Sequence, residues 1–218
     1  MACSLCETRK EKRFCPAVHG RICPQCCGEQ REVTLDCPSD CPYLLQARQH
    51  EQARPSGELD PEQSFPNVEI PSAFLYEHQP LVMGVIFGVV KGARGDRGTN
   101  DREILAALSS LAKTYETRVN SGLVYEPAMA GIGQQAIMTE LQKLIGEYRK
   151  LEEQHLGYAK LRDSDVLRAL VFVLRLGLMR TSGRPKSRAF LDFLGSQFPE
   201  EKGVVVAPDT PGSRIVVP

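Results

Sequence analysis

The sequence carries no excess of charge. Lys and Arg number 27, and so do Asp and Glu. A dedicated nucleic-acid binder usually shows a basic domain or stripe, and the whole-chain total gives no sign of one. Residues 1–54 are also near balance, with eight Lys/Arg against seven Asp/Glu. Long apolar runs are missing too. The longest, Leu81 to Val90, has ten residues, whereas a membrane span needs about 20; it reads as a buried helix, and no membrane partner is expected. The opening residues, Met1-Ala-Cys-Ser-Leu-Cys-Glu-Thr-Arg-Lys, have no apolar h-region, so no export signal is expected. There is no Gly-rich phosphate loop. No repeat at a period of roughly 30–45 residues points to a solenoid. After Cys41 there is no further cysteine.

What the chain does have is concentrated at its start. All eight cysteines lie between Cys3 and Cys41. Disulfides are rare in the reducing cytosol, so clustered cysteines without an export signal read as metal ligands in a cytoplasmic protein. The order is Cys3-x2-Cys6-x8-Cys15-x3-His19-x3-Cys23-x2-Cys26-Cys27-x9-Cys37-x3-Cys41. A Cys-x2-Cys pair places two sulfurs on one tight turn, and zinc in closed structural sites takes four thiolate or imidazole ligands. Nine candidates are enough for two ions. The stretch has few other apolar residues, and a unit this small rarely folds on burial alone. Structural zinc can supply about 10–16 kcal/mol.

The run Cys3-x2-Cys6, Arg13-Phe14-Cys15-Pro16, Cys23-x2-Cys26 and a late pair resembles the interleaved two-zinc fingers of the HIT-type, MYND and B-box group. The resemblance covers about a fifth of the chain. It implies that Cys3, Cys6, Cys23 and Cys26 hold one zinc, and that Cys15, His19, Cys37 and Cys41 hold another. It also implies a protein-interaction role. The second pair departs from the pattern as Cys-x3-His, the last pair is Cys37-x3-Cys41, and Cys27 is surplus. Cys27 is therefore an alternative to His19, and sequential pairing is an alternative to crossed pairing. A redox use of Cys-x2-Cys would need a βαβ setting, which is absent. A catalytic zinc would need an open coordination position. The deaminase pattern, His-x-Glu followed by Pro-Cys-x-x-Cys, is matched only in fragments around His19 and Pro24.

Two basic clusters are candidate contacts for an anion or a partner. Arg9, Lys10, Lys12 and Arg13 lie beside the cysteines, and Arg180, Arg184, Lys186 and Arg188 precede a predicted helix start, where backbone N–H groups favour anions. The competing reading of each is an ordinary solvated connection. Glu152-x2-His155 has the spacing of half a di-iron site, but neither His50 nor His78 completes it, and exposed polar positions are the expectation.

The rest reads as helical. Pro42 opens a polar helix to about Arg54. Residues 55–70 form a linker rich in Pro, Gly and acid. Pro71 opens the next helix, and Pro80 either kinks it or starts another. The Gly84, Gly88 and Gly92 series suggests close helix packing. Thr99 or Asn100 caps a helix with the stripe Ile104, Leu105, Leu108, Leu111, Ala112, Tyr115 and Val119. Another carries Ala136, Ile137, Leu141, Leu144, Ile145, Tyr148 and Leu151. A third, capped by Asp163 or Ser164, is apolar nearly all round and belongs at the centre. A short last helix opens at Ser187. No segment outside the tail alternates strongly enough for a strand. The expected fold is a small zinc-binding module followed by an all-α helical bundle: residues 1–45 as the module, 46–70 as short helix and linker, 71–198 as bundle and 199–218 as an extended tail. The expected function is a non-enzymatic zinc-binding adaptor with a protein partner. The alternative is a nucleic-acid-associated zinc finger using residues 9–13 and 180–188. An enzyme in the bundle is a third reading for which no residues stand out.

Overall fold

Helix boundaries follow the chain's punctuation. The structure, a computed structural model, describes residues 1–52, 64–96, 98–125 and 131–198. Among them are one two-stranded hairpin and eight helices. In the N-terminal part β1 (Arg13–Cys15) pairs antiparallel with β2 (Gly20–Ile22), with Cys15 opposite Gly20. Strands of three residues are too short to display alternation, which is why the sequence showed no strand here. Helix α1 (Pro24–Gln30) follows, and α2 (Pro42–Gln52) starts at the proline expected to open it.

Pro80 starts a new helix and does not kink an old one. Helix α3 (Ser72–Glu77) ends at His78, and α4 (Gln79–Arg94) begins at once, with Pro80 in its first turn, where a missing N–H goes unnoticed. Helix α5 (Asp101–Ser121) opens with a reciprocal cap. The Asn100 side chain accepts from the Glu103 N–H, and the Glu103 carboxylate accepts from the Asn100 N–H. Helix α6 (Ile132–Leu156) ends at Gly157, whose φ of +79° favours glycine. Helices α7 (Asp163–Arg180) and α8 (Ala189–Gln197) complete the set.

The largest packing contacts are α5 on α7 and α4 on α6, with α5 also touching α6, α4 touching α7, and α8 lying on α4, α5 and α7. Helix α7 is central, as its all-round apolar surface predicts; Val166, Leu170, Val171 and Val173 have no exposure. The glycine series of α4 faces α6. A Cβ at Gly92 would fall 2.7 Å from the Ile137 Cα, and one at Gly88 would fall 2.9 Å from Leu141 Cδ2. Val119 and Leu151, expected on apolar stripes, are exposed near their helix ends.

Two caps differ from expectation. Helix α7 has Arg162 at its N-cap with no side-chain cap bond. Asp163 lies inside the first turn, held by Arg149 at 2.5 Å. Helix α8 begins two residues after Ser187, and its Phe190 and Leu191 N–H groups are capped by the Asp101 carboxylate, both at 3.1 Å. That cap arrives from α5 across the core, so no local motif announces it.

The cysteine-rich part is docked on the bundle. Lys186 N–H donates to the Glu32 carbonyl at 2.8 Å, and Ser39 Oγ donates to Asp192 of α8 at 2.8 Å. The end of the expected linker also packs: Val68 is buried, and Arg175 donates to the carbonyls of Phe65 and Val68. Most of the expected linker and the whole tail lie outside the described residues.

Candidate metal centre

Two local turns build the site. In the first, Glu7 N–H donates to the Cys3 carbonyl at 2.8 Å while Glu7 takes φ of +54°, which folds Cys6 back beside Cys3. In the second, Cys23 is the N-cap of α1, Pro24 opens the helix, and the Cys26 N–H donates to Cys23 Sγ at 3.4 Å. Backbone bonds join the two turns. Ser4 N–H donates to the Arg21 carbonyl at 3.0 Å, and Cys23 N–H donates to Cys3 Sγ at 3.1 Å. As a result the sulfurs of Cys3, Cys6, Cys23 and Cys26 all lie within 4.8 Å of one another. A tetrahedral zinc with Zn–S of about 2.3 Å needs sulfurs about 3.8 Å apart, so the set fits a four-coordinate ion.

The electrostatics of the site suit a cation. Hydrogen bonds from the Thr8 side chain and from the Arg9 and Thr8 N–H groups hold the Cys6 thiol down to about 5. The Cys26 N–H lowers Cys23. Cys26, hydrogen-bonded to Cys23 and buried, is pushed up to about 12. Four sulfurs this close cannot all be thiolates without a positive charge among them. Arg9 supplies part of that charge from outside. Its guanidinium hydrogen-bonds Cys23 and faces Cys6 and Cys26, which raises its own pKa.

The remaining cysteines fall together elsewhere. Cys15, Cys27, Cys37 and Cys41 line one cavity of about 10 Å³. Cys15, Cys27 and Cys41 are buried and Cys37 is half-buried. Burial pushes the Cys37 thiol up, with Cys15 and Cys41 adding to the effect. Among the described residues, only the first set brings three or more ligand atoms within 4.8 Å of one another. His19 stands apart. It is exposed in the turn between β1 and β2, with φ of +48°, and does not line the cavity.

The basic residues are placed variously. Arg13 Nη1 reaches Cys27 Sγ at 3.6 Å, and its guanidinium lies over the Tyr43 ring. Lys10 and Lys12 are exposed along the module's edge. Arg184 donates to the Gly28 and Arg31 carbonyls at the end of α1, and Lys186 Nζ donates to the Thr34 carbonyl. Arg180 stacks over Phe193, and Arg188 is the N-cap of α8. Glu152 accepts from the Lys160 and Leu161 N–H groups, and His155 is exposed. Sequence reasoning missed Glu32 and Arg48, which form a buried ion pair at 2.7 Å between the loop after α1 and helix α2. No spacing motif marks such a pair. No protein-family model matches the chain, and no curated protein or solved structure matches it.

Proposed function

We propose that this protein is a zinc-stabilised adaptor of the cytoplasm. Cys3, Cys6, Cys23 and Cys26 hold a structural zinc ion, and the module they brace makes contact with a protein partner. The observation that carries this reading is the four-sulfur closure within 4.8 Å. Four protein ligands leave no coordination position for a substrate, which is the hallmark of structural and not catalytic zinc. Soft thiolates in a tetrahedral arrangement select zinc over the hard cations. When bound, the ion joins the two turns and neutralises their sulfurs.

The adaptor role is supported by what the module keeps inside and what it shows. Apart from its cysteines, the buried cluster of the module holds only Ile22 and Leu35. Phe14, Leu45 and Val33 are left exposed around it, and apolar side chains on a metal-braced surface suit a protein interface. The nucleic-acid reading has less support. Arg184 and Lys186 spend donors on the protein's own carbonyls, Arg9 faces the metal-site sulfurs, and Arg13 faces Cys27 and Tyr43.

The test has two parts. Elemental analysis of protein purified without chelators is expected to find zinc that disappears in the Cys3→Ser/Cys6→Ser variant. An affinity capture with the two forms is expected to recover a partner only with the intact one. Absence of zinc in the intact protein would overturn the reading. Equal recovery of all partners by both forms would move the interaction to the helices.

A further inference from the structure

Half of the cysteines have no part in the site just described, yet none of them is scattered. We propose that Cys15, Cys27, Cys37 and Cys41 hold a second zinc ion, with Cys27 and not His19 as fourth ligand, and that this ion fixes the segment through which the module docks on the helical bundle. The proposal deepens the zinc reading above and rests on it.

The ligand set follows from the cavity. Three separate pieces of chain, namely the end of β1, helix α1 and the loop before α2, deliver these cysteines to it, the loop supplying both Cys37 and Cys41. Its space is about 10 Å³, room for roughly one water-sized body. A buried water needs two to four good polar partners, and thiols are weak donors and acceptors. The other lining includes Ile22, Leu35 and Leu44. An apolar shell around four soft donors suits a thiophilic cation. To bind it, the lining contracts until the sulfurs stand about 3.8 Å apart, the spacing of a tetrahedron with metal–sulfur bonds of about 2.3 Å.

One further contact repeats a feature of the first site. There, an arginine faces the sulfurs. Here Arg13 reaches Cys27 Sγ at 3.6 Å. Nothing comparable turns His19 inward; it projects from the hairpin turn on the protein's exterior.

The same cysteines bracket the docking contacts. Between Cys27 and Cys41 lie Glu32, whose carbonyl accepts from Lys186 N–H at 2.8 Å, and Ser39, which donates to Asp192. The Glu32 carboxylate accepts from Ser182 Oγ at 3.2 Å. Cys41 leads into α2, whose Arg48 reaches Asp192 at 2.6 Å. An ion that ties Cys37 and Cys41 to the hairpin therefore holds this whole loop in its docked shape.

The experiment uses the full chain purified without chelators. Zinc content is expected at two ions per chain, unchanged by His19→Ala and reduced to one by Cys27→Ser. In Cys27→Ser, hydrogen exchange is expected to rise in residues 28–41 and 181–192 and to stay as in the parent around Cys3 and Cys6. Cobalt-substituted protein gives a readout that does not depend on the Cys27 variant folding: its ligand-field bands are expected to be the same with and without His19. One zinc per chain, lost with Cys3→Ser, would overturn this proposal and leave the adaptor reading standing. No zinc at all would overturn both. Two ions, one of them lost with His19→Ala, or cobalt bands altered by that substitution, would overturn the ligand set.

Discussion

Arg48 Nη2 lies 2.7 Å from Glu32 Oε1, with the two side chains 11% and 1% exposed. The same guanidinium reaches Asp192 of α8 through Nη1 at 2.6 Å. One arginine thus joins the loop after α1, helix α2 and the bundle. Removing one partner of a buried pair strands the other charge, at a cost of about 3–5 kcal/mol. Arg48→Met is therefore expected to destabilise the zinc-loaded protein by that amount in urea unfolding. Adding Glu32→Gln, which removes the stranded charge, should restore part of the loss. If Arg48→Met alone costs less than about 1 kcal/mol, the range of a surface pair, the join is not the one described.

Asp101 is the second cross-link between distant segments. Its carboxylate accepts from Ser187 Oγ at 2.7 Å and from the N–H groups of Phe190 and Leu191, and it is 1% exposed. Its own N–H donates to the Ser187 carbonyl. Asp101→Ala removes a helix cap and leaves buried donors unpaired. Each such group costs about 1–3 kcal/mol, so a loss of at least about 2 kcal/mol is expected in chemical denaturation. Asp101→Asn keeps one acceptor oxygen and should lose less. Equal losses in the two variants would show that the cap is not the source.

Local chemistry was legible in the sequence, and chemistry between distant segments was not. The Asn100–Glu103 cap, the proline at the start of α2, the all-round apolar α7 and the glycine face of α4 each announce themselves within one or two turns. The Cys3–Cys6 and Cys23–Cys26 turns were legible because spacing alone defines a turn with two sulfurs; their union in one site was implied by the resemblance to interleaved zinc fingers. The Asp101 cap on α8, the Arg48 bridge and the Arg184 and Lys186 contacts with the module join residues more than 80 positions apart. Nothing in the sequence near either partner records the other. The hairpin was invisible because three-residue strands carry no period. His19 fits the spacing as a cysteine would, and the hairpin turn places it exposed, outside the lining of the cavity that Cys15 borders.

The glycines of the bundle divide by their neighbours. A Cβ at Gly92 meets the Ile137 backbone at 2.7 Å, and neither helix can shift without losing its packing. Overpacking of this kind costs about 1–3 kcal/mol. At Gly146, inside α6, a Cβ meets nothing within 4 Å, and alanine in a helix interior is better than glycine by about 0.5–1 kcal/mol. Gly92→Ala is expected to lower the thermal midpoint and Gly146→Ala to raise it. The same sign for both would mean that helix propensity, and not the α4–α6 contact, decides.

Metal removal should separate the two halves of the molecule. The bundle buries Leu81, Ile104, Leu108, Ile137, Leu170 and Phe190 in one cluster that contains no cysteine, so its stability does not depend on zinc. The module's cluster is mostly sulfur, and structural zinc in units of this kind supplies about 10–16 kcal/mol of apparent binding energy. Without it the turns around Cys3 and Cys23 have backbone bonds but little apolar burial to hold them together. A strong zinc chelator is therefore expected to leave most of the far-ultraviolet helix signal intact. Limited proteolysis should then cut within residues 1–52 first. The contacts that Arg184 and Lys186 make with the Gly28, Arg31 and Thr34 carbonyls would be lost together, so hydrogen exchange should rise between residues 181 and 188 as well. Added zinc should reverse both changes. Loss of the whole helical signal on chelation would mean that the bundle leans on the metal-bound module far more than its own core implies.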